Sequence, residues 1–474
     1  MDKLLPLVAI VGQPNAGKST LMNKIAGKSL AVTSDVAGTT RDRQYIDTTW
    51  SGVTFTLVDT AGLAFGGKDE LELNIAKQIE IALAEADAVI FVVDGKQPVG
   101  AVDNITIKKF RNTSKPLLLC VNKLDSARIH DEKLKEFARL GIKPAFGVSS
   151  LTGLGIGDML EHLISQLPIA QDPHISQDDQ QDDNTHIAVS IVGKPNVGKS
   201  SIFNAILKEE RVVVSPVPGT TRTAIDSQIK IGDVDYTFID TAGLKKKEFR
   251  QAQPDIFSGF QTFKAIRRSD VCFFVIDANE EITKQDQRVA NEIIAMQKGC
   301  IILANKVDLV PSPPSQGGVP RKAGGGGWSR KSDKGSSDDQ YKTTRDYISH
   351  HFPFLWMCPL IFVSALDGTG LEEAVNSIKP IFEARHKTIP AETLKTFLAK
   401  LMKINPPKLL RDQKKPKVLG LKQIETNPPL FELLVNHPAA ISSQFRKFAE
   451  NSIVKELGFW GTPINFKLKG KDKS

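Results

Sequence analysis

The 474-residue sequence predicts an α/β protein: two tandem doubly wound domains with mostly parallel sheets, followed by a small α+β domain. Three observations predict it. Strand-length apolar runs alternate with helical segments through the first four-fifths of the chain. A set of short motifs returns in the same order after 181 residues, the length of a whole domain. The last fifth differs in charge: residues 385–474 hold 18 Lys and Arg against 7 Asp and Glu, whereas residues 1–384 hold 44 against 47. A basic end on a slightly acidic body is the footprint of a module that binds a polyanion.

In the first copy the runs 5–11, 54–58, 88–93 and 117–121 read as strands and 72–86 as a helix. The run Gly12-Gln13-Pro14-Asn15-Ala16-Gly17-Lys18-Ser19 falls between a strand at 8–11 and a helix from Ser19 onward; Gly193-Lys194-Pro195-Asn196-Val197-Gly198-Lys199-Ser200 repeats it. Gly38-Thr39-Thr40-Arg41 recurs as Gly219-Thr220-Thr221-Arg222, and Asp59-Thr60-Ala61-Gly62-Leu63 as Asp240-Thr241-Ala242-Gly243-Leu244, both at the offset of 181. Asn122-Lys123-Leu124-Asp125 recurs as Asn305-Lys306-Val307-Asp308 at an offset of 183. Val148-Ser149-Ser150-Leu151 and Val363-Ser364-Ala365-Leu366 stand 215 apart, so the second copy holds 32 extra residues. Residues 311–340, rich in Pro, Gly, Ser and Lys, account for nearly all of them and read as a flexible surface insertion. Residues 177–183, polar and acidic, cannot pack and read as part of a linker. The expected boundaries are 1–167 and 187–384 for the two copies, 168–186 for the linker and 385–470 for the basic domain. That last part reads as a helix (391–403), two strands (416–424 and 430–436), a helix (439–457) and a strand (464–468), with no Gly-x-x-Gly loop of the kind that clamps nucleotides.

The glycine loops point to phosphate chemistry. Glycines let successive backbone N–H groups turn toward an anion, and the helix that follows adds its dipole. Lys18 and Lys199 are expected to reach the β- and γ-phosphates, with Ser19 and Ser200 on Mg²⁺. Asp59 and Asp240 follow the apolar strands 55–58 and 236–239, where a carboxylate positions Mg²⁺ through water; Gly62 and Gly243 can offer an N–H to the γ-phosphate. Asp125 and Asp308 select the base. Their carboxylates can accept from guanine N1–H and its exocyclic amine, whereas adenine would strand a carboxylate, a discrimination on the order of 10⁴-fold. Asn122, Lys123, Asn305 and Lys306 would frame the base, and the amides around Ser149, Ser150, Ser364 and Ala365 would meet its O6. Thr40 and Thr221 are the expected switch threonines on Mg²⁺ and the γ-phosphate, with Thr39 and Thr220 as alternates. Leu63 and Leu244 cannot orient an attacking water, so hydrolysis needs help from a monovalent cation, a partner or another backbone group. Asn15 and Asn196 place an oxygen where K⁺ could sit beside the phosphates; the alternative is that each only shapes its loop.

The remaining composition bounds the setting. Hydrophobic residues at 41% and charged residues at 24% exclude wholesale disorder. Cys120, Cys272, Cys300 and Cys358 are isolated in apolar surroundings, which fits reduced core thiols and a cytoplasmic protein with no membrane contact. Lys408, Arg411, Lys414, Lys415 and Lys417 cluster around a loop suited to phosphate contacts.

Two such domains followed by a basic one, with Asn405-Pro406-Pro407, Asn427-Pro428-Pro429-Leu430-Phe431, Val435-Asn436 and Gly458-Phe459-Trp460-Gly461-Thr462-Pro463-Ile464 in the tail, resemble the EngA/Der family of ribosome-assembly GTPases. The resemblance covers nearly the whole chain outside the linker and insertion. It implies two P-loop GTPase domains and a KH-like domain, with GTP and GDP as substrate and product and Mg²⁺ as cofactor. It also implies a monomeric switch acting on the large ribosomal subunit and its RNA. Three features depart from the family pattern: Thr223 in place of Asp, Ser150 in place of Ala, and the 311–340 insertion. Two other readings remain: a non-catalytic nucleotide sensor in which one or both copies bind GDP or GTP and only regulate docking of the basic domain, and a tRNA-modifying GTPase, for which no sequence is left over to form a modification domain.

Overall fold

The structure is a computed structural model. It describes residues 5–12, 14–28, 45–59, 79–80, 82–99, 107, 110, 113, 115–126, 130–167, 186–208, 212–214, 226–241, 255–309, 337–407 and 416–470. The chain divides into two compact units, 1–182 with 251–261 and 183–250 with 262–474.

The first unit is built on β1 (Leu7–Gly12), α1 (Lys18–Lys28), β2 (Tyr45–Trp50), β3 (Val53–Asp59), β4 (Ala88–Asp94), β5 (Leu117–Asn122), α2 (His130–Phe137), β6 (Ala145–Gly147) and α3 (Ile156–Gln166). Strand order is β2-β3-β1-β4-β5-β6, with every pairing parallel except the edge pair β2–β3. The central strands are buried along their length, as continuous apolar runs flanked by helices must be. Val8 and Ile10 of β1, with Ile90 and Val92 of β4, meet Leu21 and Ile25 of α1 and Leu160 and Leu163 of α3 in one core. The edge strand closes on β3 through Ser51 and Gly52, whose φ values of +44° and +81° give the left-handed turn that matches strand twist.

The second unit repeats the plan with β7 (His186–Val192), α4 (Lys199–Leu207), β8 (Val212–Val214), β9 (Ser227–Ile231) and β10 (Val234–Phe238). After α5 (Asp255–Arg268) come β11 (Val271–Asp277), α6 (Lys284–Ala295), β12 (Gly299–Asn305), α7 (Ser337–His351), β13 (Leu360–Phe362), α8 (Leu371–Asn376) and α9 (Ile378–His386). Seven strands run in the order β13-β12-β11-β7-β10-β9-β8, with β8 and β9 antiparallel to their neighbours. Alternation along β11 serves both faces: Val271, Phe273 and Val275 join the core under α4, α8 and α9, while Cys272, Phe274 and Ile276 join the core under α6 and α7. Two boundaries differ from the sequence reading. The strand expected to reach 239 stops at Phe238, because Asp240 turns the chain at φ +55°. Residues 337–340, counted in the insertion, open α7; residues 311–336 and 168–185 lie outside the described residues.

The basic part forms α10 (Ala391–Ile404), β14 (Val418–Thr426), β15 (Pro429–Val435), α11 (Ser443–Leu457) and β16 (Asn465–Gly470). Its sheet runs β14-β15-β16, antiparallel then parallel, with Phe431, Leu433, Phe397, Phe445 and Ile453 in the core. The helix expected from 439 starts later, because the Ser442 hydroxyl caps it by accepting from the Phe445 N–H at 3.2 Å. The expected absence of a Gly-x-x-Gly pattern needs correction: Gly458-Phe459-Trp460-Gly461 has that spacing. The structure spends it on a joint. Gly458 ends α11 at φ +78°, Phe459 is fully buried, and Gly461 accepts from the Cys300 N–H at 2.8 Å and donates to the Met357 carbonyl at 2.9 Å. Arg385 at the end of α9 straps the same joint, donating to the Gln297 carbonyl, to Thr462 Oγ1 at 3.2 Å and to Asn427 Oδ1 at 2.7 Å. All four cysteines are buried free thiols, and burial pushes the Cys120 thiol well up.

Candidate active sites

Each glycine loop leaves a central parallel strand and enters a helix, β1 to α1 and β7 to α4. Their backbones match at three pairs of positions: φ is +151° at both Gly12 and Gly193, +61° and +65° at Asn15 and Asn196, and +90° and +98° at Gly17 and Gly198. Close approach makes the glycines necessary. A Cβ on Gly12 would lie 2.1 Å from the Val92 carbonyl oxygen, and one on Gly198 2.1 Å from Asn305 Nδ2. Pro14, Asn15, Pro195 and Asn196 are exposed on the loops, while Ala16 and Val197 are buried beneath them.

Lys18 Nζ donates to the Gly12 carbonyl at 2.9 Å; Lys199 Nζ donates to the Gly193 and Lys194 carbonyls at 2.8 and 2.6 Å. Both ammonium groups therefore lie against the loop whose N–H groups would receive an anion. Burial pushes the Lys18 ammonium down, with the Asp59 carboxylate opposing it. Ser19, at the start of α1, donates to Asp59 Oδ2 at the end of β3 at 2.6 Å. In the second copy Ser200 begins α4 beside Lys199, and the Asp240 N–H donates to Asp226 Oδ1 at 3.0 Å. Lys194 ties that loop to the start of α6, pairing with Glu280 at 3.0 Å and Asp286 at 3.3 Å, where Asp286 also completes a capping box with Thr283.

The asparagines expected to frame a base brace the site internally. Asn122 Nδ2 donates to the Ala16 carbonyl at 2.8 Å, and its Oδ1 accepts from the Ser150 N–H at 3.0 Å and hydroxyl at 2.8 Å. Asn305 makes the same brace with two bonds, to the Val197 carbonyl at 2.8 Å and from the Ala365 N–H at 3.3 Å. Ser150 in place of alanine thus adds a bond. Lys123 and Lys306, at φ +67° and +66°, pair with Asp94 at 2.7 Å and Asp277 at 2.6 Å. Burial raises Asp94, but bonds from Lys123 and Lys96 outweigh it and hold the carboxyl below its usual range.

Asp125 accepts from Ser149 Oγ at 2.8 Å and pairs with Lys96 at 3.1 Å; the Ser149 hydroxyl and then Lys96 hold its carboxyl below the usual range, so it stays an acceptor. Leu124 and Val307 between the motif residues are buried. Asp308, in a short 3₁₀ turn after Lys306, borders a cleft of about 570 Å³ that Gly198, Asn305, Lys306, Ala365 and Leu366 also line. Ser364 Oγ accepts the Leu366 and Asp367 N–H groups at 3.3 and 3.4 Å and shapes that rim. Thr241 is buried after Asp240.

Among the expected site residues, Gln13, Thr39, Thr40, Thr60, Ala61, Gly62, Leu63, Thr220, Thr221, Ala242, Gly243 and Leu244 lie outside the described residues, as do Lys408, Arg411, Lys414 and Lys415. The remaining residues of the two nucleotide motifs gather at the C-terminal ends of the parallel strands, the end where ligands bind in open α/β sheets, while Lys417 precedes β14 of the small sheet. The sequence reading missed Asp94, Asp277, Lys96 and Asp226. The first two were detectable, since they end equivalent strands 183 residues apart, the offset of the Asn-Lys-x-Asp pair they support.

A family model described as a 50S ribosome-binding GTPase matches residues 7–123 and again 188–306, and one described as the KH-domain-like C-terminal part of EngA bacterial GTPases matches 388–469. The GTPase Der of Synechococcus sp. is 36% identical over 467 residues, covering 98% of this chain and 96% of its own length. That of Thermosynechococcus vestitus is 36% identical over 469 residues (98% and 97%), and that of Chloroflexus aggregans 35% over 475 (99% and 98%). With two guanine-nucleotide folds and the C-terminal domain matched in order over nearly the full length, the chain belongs to the GTPase Der family and is a double-G-domain enzyme that binds and hydrolyses GTP.

Proposed function

We propose that the chain is a nucleotide-dependent switch in biogenesis of the large ribosomal subunit. In this reading the GTP-loaded chain docks on the subunit through RNA contacts of its basic end, and hydrolysis releases it. The observation that carries the reading is the segregation of charge: residues 385–474 have a basic surplus of 11 on an otherwise slightly acidic chain. The 50S ribosome-binding description of the matching family supports it. Lys408, Arg411, Lys414, Lys415 and Lys417 make the phosphate contacts in this proposal, and the chain works as a cytoplasmic monomer with domains at 1–167, 187–384 and 385–470. Among the described residues no helix is long and apolar enough to cross a membrane.

Within each G domain, Lys18 and Lys199 neutralise the β- and γ-phosphates and Asp125 and Asp308 read guanine. Ser19, Thr40 and Asp59, and Ser200, Thr221 and Asp240, hold Mg²⁺. The Ser19 hydroxyl and Asp59 carboxylate converge at 2.6 Å beside Lys18, and such hard oxygen donors suit that ion. When bound, Mg²⁺ would neutralise negative charge on the phosphates. Asn15 and Asn196, exposed in left-handed loop positions, are the proposed K⁺ contacts that offset Leu63 and Leu244.

The test is sedimentation of the purified chain with ribosomal subunits at two salt concentrations, with GDP or a non-hydrolysable GTP analogue. The proposal predicts salt-sensitive binding to the large subunit with the analogue only. Binding that ignores the nucleotide, or none at all, would remove the ribosomal switch and leave a double GTPase with a basic end for another polyanion.

A further inference from the structure

We infer that Asp226 is a positioning residue of the second GTPase site, which together with Ser227 and Arg268 latches the backbone of Asp240. Asp240 is a non-glycine residue at φ +55°, a conformation that persists only where neighbours impose it. The neighbours are explicit. Asp226 Oδ1 accepts from the Asp240 N–H at 3.0 Å and from Arg268 Nη1 at 3.2 Å, while Arg268 Nη2 bonds the other carboxylate oxygen. The guanidinium thereby holds the carboxylate in a two-pronged grip that fixes where it presents its oxygen to Asp240. One residue on, Ser227 Oγ and Thr241 Oγ1 share a hydrogen bond at 2.7 Å, both side chains buried. Two successive residues at the start of β9 thus hold two successive residues that follow β10.

The position of the latch gives it a role. Asp226 stands four residues after the Gly219–Arg222 motif, and Asp240 opens the Asp240–Leu244 motif, so the latch joins the end of one nucleotide-responsive segment to the start of the other. The first copy is built differently. At the offset of 181 its counterparts are Tyr45 and Ile46, which carry neither a carboxylate nor an aliphatic hydroxyl, and the counterpart of Arg268 at the offset of 183 is Glu85. There Asp59 ends β3 in register and accepts from Ser19. The second site alone therefore depends on Asp226 to set its metal-side carboxylate. This inference rests on the reading of Asp240 as the carboxylate that positions Mg²⁺.

The experiment uses the full chain with Lys18→Ala, so that only the second site responds, and follows binding of a fluorescent GDP analogue against Mg²⁺ concentration. Asp226→Ala is expected to raise the half-saturating Mg²⁺ roughly 10- to 100-fold, the span of a lost charge-assisted hydrogen bond, with Mg²⁺-free affinity held within about threefold. Asp226→Asn, nearly isosteric, is expected to shift it in the same direction by at least about threefold and serves if the alanine variant does not fold. Arg268→Ala should produce a smaller shift that vanishes in the Asp226→Ala background, since it acts through Asp226. Unchanged Mg²⁺ dependence in a folded Asp226 variant overturns the latch, as does an equal shift at the first site, read with Lys199→Ala in place of Lys18→Ala. Asp240→Asn separates the two ideas: if it leaves Mg²⁺ dependence intact, the reading of Asp240 fails; if it abolishes that dependence while both Asp226 variants, folded, leave the half-saturating Mg²⁺ unchanged, the latch alone fails.

Discussion

Replacing Asn122 by alanine removes three hydrogen bonds at once and leaves the buried Ala16 carbonyl and Ser150 N–H without the partner shown here. A net bond contributes about 1 kcal/mol, and a stranded buried group costs about 1–3 kcal/mol, so the change should destabilise the first unit by about 3–5 kcal/mol. The second copy scales the argument. Asn305→Ala removes two bonds and should cost about 2–3 kcal/mol, while Ser150→Ala removes one and should cost about 1 kcal/mol. Calorimetric unfolding of the full chain, with the two units followed as separate transitions, reads the stability. GDP titration of Asn122→Ala in a Lys199→Ala background reads the first site. The expected order of destabilisation is Ser150→Ala, Asn305→Ala, Asn122→Ala, with loss of nucleotide affinity following loss of stability. An Asn122→Ala chain that melts like its parent but has lost GDP would refute the brace and return Asn122 to direct contact with the base.

Gly193→Ala places a Cβ 2.3 Å from the Val275 carbonyl, a backbone atom that cannot step aside, so GDP affinity should fall at least about 100-fold at the second site and stay unchanged at the first. Arg385→Met removes the strap to Gln297, Thr462 and Asn427 and should lower the stability of the second unit by about 3 kcal/mol; an unchanged melt would contradict the described joint. Glu292, on α6 with Arg288 at 3.7 Å, has its carboxyl pushed by burial from 4.5 up to about 7. A raised carboxyl costs stability only where the unfolded chain is ionised, so the penalty is absent below about pH 4.5, grows as pH rises and is complete above about pH 7, at most about 3 kcal/mol. Glu292→Gln should therefore match its parent near pH 4 and exceed it at pH 8, and a parent whose stability does not fall over that range would count against the raised carboxyl.

Most of the fold was legible because two simple signals coincide. Val8 to Val11 and Val271 to Ile276 are apolar runs of strand length, and the glycine loops that follow the first strand of each copy need one backbone shape whatever surrounds them. The edge hairpins were not read. Tyr45-Ile46-Asp47-Thr48-Thr49-Trp50 alternates polar and apolar residues too weakly to stand out, and only the Ser51-Gly52 turn marks it. Asp226 was invisible for a deeper reason: its partners Asp240 and Arg268 are 14 and 42 residues away, and an isolated Asp after a Thr-rich stretch carries no spacing signal. Asn122 was legible as a site residue but not as a brace, because the motif gives its position and not the partner of its amide. The Gly458–Gly461 spacing went unnoticed in the sequence, and its glycines serve a helix end and a close backbone contact with Cys300 and Met357.

The claim that everything else depends on is that each copy holds its own working site. Single-turnover hydrolysis of GTP by the full chain with Lys18→Ala, with Lys199→Ala and with both tests it directly. The account predicts about one GTP cleaved per chain in each single variant and none in the double, since each lysine lies against its own loop. Loss of both turnovers in either single variant would contradict two separable sites.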